Sequence, residues 1–181
     1  MKLSTKLAAF AATTGLAVAS LAGPAHAALT GDTATTFTIT GGALAITVPP
    51  TATLGSVSAG AATVAAQLGS VTVADTRGAL LNSWTTTVSS TTFARATGTA
   101  TANETVAVGS IAYSAGASTA SSGLGAFVPG TLPNGTVPGI AGTHTAFAGN
   151  SSTTWDPTLT LTLLSSQVAG TYNGTVTHSV A

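Results

Sequence analysis

The chain has 181 residues, with four basic side chains, four acidic ones and no cysteine. So little charge excludes a basic stripe for nucleic acid and a polybasic membrane patch. The missing thiols exclude disulfides, zinc–thiolate sites and a cysteine nucleophile.

Both lysines, Lys2 and Lys6, stand at the start, ahead of a 16-residue apolar run from Leu7 to Ala22. That run is shorter than the ~20 residues of a spanning helix. With Ala25 and Ala27 at the small-residue positions of an A-x-A exit, it predicts a secretory signal peptide over 1–27, cut between Ala27 and Ala28. The mature chain, 28–181, then carries Arg77 and Arg95 against Asp32, Asp75, Glu104 and Asp156. It is slightly acidic, without lysine, and we expect it to be exported with no covalent tether. The mid-chain "LPNGT" at 132–136 is read as a turn.

Beyond the leader the sequence alternates in short runs between Gly, Pro and Asn, the pattern of β-strands. "FTITGGALAITV" at 37–48 predicts a hairpin turning at Gly41-Gly42, with Ile39 facing Leu44 and Phe37 facing Ile46. Pro49-Pro50 stops it. Strands follow at 62–68, 70–75 and 84–90, with weaker ones at 104–108 and 111–113. From Ser114 to Thr154 Gly, Ala, Ser and Thr dominate, and we expect long loops or an insertion, pinned by Phe127, Ile140 and Phe147. "TLTLTLL" at 158–164 puts Leu159, Leu161 and Leu163 on one face. The last run, 171–180, does the same for Tyr172, Val176, His178 and Val180. These elements predict one all-β domain over 28–181, a β-sandwich or small barrel of mostly antiparallel strands. Thr and Ser take the exposed strand positions, so few charges guard the edges against pairing with another chain.

Chemistry is sparse. The mature chain offers four carboxylates and two histidines, His144 and His178, and no spacing that brings a pair of carboxylates to one cleft. The nearest approach to a nucleophile elbow is "GASTA" at 116–120, which lacks the final glycine. There is no H-x-x-x-H, EF-hand loop or phosphate-cradling glycine loop. We therefore expect no enzyme, no cofactor and no metal site. Asn103, Asn134, Asn150 and Asn173 stand in N-x-S/T sequons, which matter only in a glycosylating host.

Two blocks carry a family resemblance. "LGSVTVADTRGALLNSWTTTVSS" (68–90) and "WDPTLTLTLLSSQVAGTYNGTVTHSVA" (155–181) resemble the WxL domain, in the form found in actinobacterial secreted proteins. Asp75, Arg77 and Gly78 match its Asp-x-Arg-Gly turn. The first Trp-x-Leu reads Trp84-Thr85-Thr86, keeping the tryptophan and losing the leucine. In the second, His178 replaces the tryptophan of His178-Ser179-Val180. The resemblance implies a Gram-positive surface protein held non-covalently at the cell wall, on peptidoglycan or a wall-associated protein.

Two roles suit the residues of these blocks. In one, Asp75 and Trp84 end and begin neighbouring antiparallel strands, Asp75 and Arg77 fix the loop by hydrogen bonds, and the indole fills core. In the other, Arg77 and Trp84 present a guanidinium and an aromatic plate to a wall glycan or peptide. Trp155 is read as a packing residue or a ligand platform, and His178 as a core-edge histidine or a ligand. Arg95 and Glu104 are placed on a solvated face. The competing function is a self-assembling or adhesive subunit that pairs through open strand edges as a homo-oligomer.

Overall fold

The computed structural model describes residues 31–145 and 148–181. The predicted leader, its Ala27–Ala28 junction and Phe147 lie outside them. The chain divides into two units, Met1–Phe37 and Thr38–Ala181. In the first, residues 31–37 are exposed and without regular structure.

The second unit is all-β. Its strands in chain order are β1 (Leu44–Thr47), β2 (Thr63–Gln67), β3 (Val71–Asp75), β4 (Ser83–Ser90), β5 (Phe93–Arg95), β6 (Thr105–Val106) and β7 (Ile111–Ser114). There follow β8 (Ser118–Ser122), β9 (Ala126–Pro129), β10 (Thr131–Leu132), β11 (Gly139–Thr145) and β12 (Ser151–Trp155). The last are β13 (Thr158–Thr162), β14 (Tyr172–Asn173) and β15 (Val176–Val180). They form four open sheets in the orders β1-β3-β12-β8, β10-β7-β13-β2, β15-β4-β11-β9 and β14-β5-β6. Neighbours pair antiparallel throughout, and the layers pack as a β-sandwich. No helix among the described residues is long and apolar enough to cross a membrane.

Alternation builds the core. Val71 and Val73 of β3, Trp84 and Val88 of β4, Ile111 and Tyr113 of β7, and Leu159 and Leu161 of β13 all point inward and are buried. Each contributes roughly 1.5–3 kcal/mol by burial, the main drive toward one register. Leu163 lies partly buried on the face of Leu159 and Leu161.

The structure corrects four expectations. No hairpin forms at Gly41-Gly42; β1 pairs instead with β3, Leu44 opposite Asp75. The Gly42 amide donates to the Thr76 carbonyl (2.7 Å) and the Thr76 amide to Ala43 (2.9 Å). A side chain at Gly41 would meet the Arg77 carbonyl, and one at Gly42 the Thr76 side chain. These glycines serve close approach to the β3–β4 loop, not chain reversal.

The stretch 114–154 is not mainly loop, for it holds β8 to β12. In β12 the inward residues are Ser151, Thr153 and Trp155, so hydroxyls stand where apolar periodicity would reveal a strand. Phe127 packs on the core, whereas Ile140 is exposed. Next, β3 and β4 are not neighbours: the loop between them crosses from one sheet to another. Finally, the terminal run breaks at Gly174, where a Cβ would come within 2.7 Å of the Phe93 ring. The backbone lies against that ring, and β14 and β15 go to different sheets.

Candidate functional site

The Asp-x-Arg-Gly turn closes on itself. Asp75 ends β3 wholly buried, and its carboxylate accepts from Arg77 Nε (3.0 Å), Arg77 Nη2 (2.8 Å) and the Arg77 amide (3.0 Å). Arg77 Nη2 also donates to the Ser83 carbonyl at 3.1 Å, tying the turn to the first residue of β4. The bidentate bond from Arg77 holds the Asp75 carboxyl below the usual carboxylate range, against a burial that would raise it. The same bond raises the Arg77 guanidinium. Gly78 turns the chain at φ 64°, a backbone region that glycine enters without cost.

What this staple holds up is the pair Leu80 and Leu81, 78% and 73% exposed. Leu81 has φ 60°, a left-handed conformation that costs a leucine roughly 1–2 kcal/mol. The loop is braced on its far side by the Gly149 amide, which donates to the Ala79 carbonyl at 3.1 Å, and by a bridge of Leu80 to Ala148.

Behind the turn runs an aromatic stack. Trp84 lies 5.0 Å from His144 with rings nearly parallel (7°), and 6.2 Å from Trp155. Phe127 sits 4.9 Å from Trp155 and 6.0 Å from Trp84. Trp155 Nε1 donates to the Tyr113 hydroxyl (3.3 Å), which lies 3.1 Å from His178 Nε2. An indole N–H can only donate, so the Tyr113 oxygen accepts there, and the direction of its bond with His178 Nε2 follows the imidazole tautomer. Burial pushes the His178 imidazole down to about 4 and the Tyr113 phenol up to about 12.

Asp75, Arg77, Gly78, Trp84, Trp155 and His178 therefore fall along one path through the sandwich. Their surfaces differ from the ligand-presenting expectation. Trp84 is 3% exposed and Trp155 is fully buried, so neither offers a plate to a glycan; packing in a small-residue core takes both rings. Of the six, Arg77 reaches solvent with its side chain while committing Nε and Nη2 to Asp75 and Ser83, and His178 is half-buried.

Two features escaped the sequence reading. Asn82 Nδ2, His144 Nδ1, Ser151 Oγ and Thr153 Oγ1 are buried without a hydrogen-bond partner among the described residues. Burial lowers the His144 imidazole, partly opposed by the Asp75 charge. The other is Glu104, which is buried and not on a solvated face. It accepts from Arg95 Nη2 (2.7 Å) and from the amide and hydroxyl of Thr99 (both 2.9 Å). Chiefly through Arg95, its carboxyl falls to about 2. The signal was the capping box Thr101-x-x-Glu104. With Asp75 and Glu104 each saturated by an arginine, neither carboxylate is free to move protons.

At the opposite end of β3 two adjoining concavities open, of about 270 and about 490 Å³, sharing Ala52, Leu54, Phe93 and Gly174. Comparison with family models, curated proteins and solved structures finds no match.

Proposed function

We propose that the protein is an exported, non-catalytic surface protein that associates with the bacterial cell wall by binding a wall-associated protein through its stapled β3–β4 loop. The observation that carries this reading is the solvent position of Leu80 and Leu81 on a loop fixed by the Asp75–Arg77 pair. Two leucines held in water by a part-buried ion pair favour an apolar protein surface over a polar glycan. A loop fixed before contact also loses little entropy on docking. The buried indoles leave the direct peptidoglycan reading without its aromatic platform. The WxL-like blocks supply the wall as the setting.

Co-sedimentation with isolated Gram-positive walls tests this. Wild type should pellet with untreated walls and stay in solution with walls stripped of protein, and Leu80→Asp with Leu81→Asp should stay in solution with both. Retention of wild type on stripped walls would return the reading to peptidoglycan. No pelleting on either would remove wall association. The competing reading, self-assembly, draws on β8, an edge strand of Ser, Thr and Ala exposed along its whole length.

A further inference from the structure

Residues 33–74 carry no charged side chain, and within them Thr36-Phe37-Thr38-Ile39-Thr40 has the alternation of a strand. It forms none: Phe37 and Ile39 stand 86% and 82% exposed. The cause is local. Gly42 and Ala43 are bonded to Thr76, which denies the segment the reversal that would lay it back on β1.

The two concavities at the other end of β3 have the matching character. Leu68, Val71 and Leu159 line one, with His178 at its side, and Val64, Val106 and Leu161 the other; among the described residues no Asp, Glu, Lys or Arg lines either. Residues two apart on an extended chain point to one face about 7 Å apart, and the two depressions share a wall of Ala52, Leu54, Phe93 and Gly174. We propose that Thr36–Thr40 of one copy docks as an extended strand in this groove of the next copy, with Phe37 and Ile39 entering the two depressions. A second copy is the occupant because the groove asks for an uncharged, alternating apolar strand, and this chain holds such a strand in solvent. Gly42 and Ala43 lie by Thr76, past the Asp75 end of β3, whereas Leu68 and Val71 wall the groove at its other end. The chain thus enters β1 at the end of β3 opposite the groove. That contact joins unlike surfaces, head to tail, and so repeats from copy to copy as an open chain or a ring. The inference does not rest on wall association.

The absence of cysteine makes the test direct. The full chain, produced in an exporting host so that any leader is removed, is made with Ile39→Cys and separately with Val168→Cys. Both positions are exposed, and Val168 lies on the groove rim. Mixed and mildly oxidised, the two should give a 39–168 disulfide several-fold above a control of Ile39→Cys with Leu124→Cys, a position exposed off the groove. Adding Phe37→Asp to the donor should return the yield to the control level. Both cysteines in one chain should give a ladder of covalent multimers. A 39–168 yield equal to the control, or a disulfide closed within a single copy, would overturn the proposal.

Discussion

Asp75 is the one carboxylate on the inward face of β3, and Arg77 is what makes it tolerable there. Replacing Arg77 by Ala would leave a buried charge unpaired, which costs about 2–4 kcal/mol. Lysine restores the charge but not the two-pronged bond to both carboxylate oxygens, so Arg77→Lys should recover only part of the loss. Urea midpoints of the three proteins check the order. Thr153 poses the opposite case, a buried hydroxyl without a partner among the described residues. Valine has nearly its shape and nothing to desolvate, so Thr153→Val should raise stability by about 1 kcal/mol. A lowered urea midpoint would mean that the hydroxyl is satisfied in solution. The turn and its arginine were legible in the sequence, because Asp-x-Arg-Gly is local chemistry. The inward hydroxyls of β12 were not, since Ser and Thr are equally at home on a solvent face.

Among the elements, β1 shows how a local signal yields to a distant one. Gly41-Gly42 between alternating runs reads as a hairpin, yet the glycines lie against Thr76 and Arg77. Gly41→Ala would drive a methyl group into the Arg77 carbonyl and should loosen β1 from β3, at about 1–3 kcal/mol. Hydrogen exchange should then quicken at the amides of Ala45 and Thr47 and stay unchanged in β4, because β4 is held in another sheet. Uniform acceleration would mean that the sandwich unfolds as one unit. The alternating strands at 63–67, 71–75 and 158–162 were visible in advance, each with one clear apolar face. Those between 114 and 154 were hidden, as β8 has no buried face at all.

For the whole molecule, acid is the natural stress. His178 is pushed down to about 4 when folded, against about 6.5 in an open chain. The unfolded chain therefore binds more protons between those values, and stability, full above pH 6.5, falls as pH drops toward 4. The loss should be about 2 kcal/mol, allowing for the ring's partial exposure. His144, also lowered, adds in the same direction. Glu104, held at about 2, contributes stability that is present above its ordinary range and is lost on acidification through about pH 2. Urea midpoints measured from pH 7 to 4 should fall for wild type and fall less for His178→Gln. An equal slope in both would assign the effect to other groups.

Composition and alternation by themselves determined that this chain is an all-β protein and which faces of its clearest strands turn inward, because burial acts on side chains two apart whatever lies opposite. They also marked the Asp75–Gly78 turn, whose partners lie within a few residues. Only the tertiary structure decided which strands pair, that both tryptophans are interior, and that Leu80, Leu81, Phe37 and Ile39 are left in solvent. Those outcomes depend on groups brought together from 30 to 100 residues apart, such as Thr76 with Gly42 or Trp155 with Trp84, and no local pattern encodes the meeting.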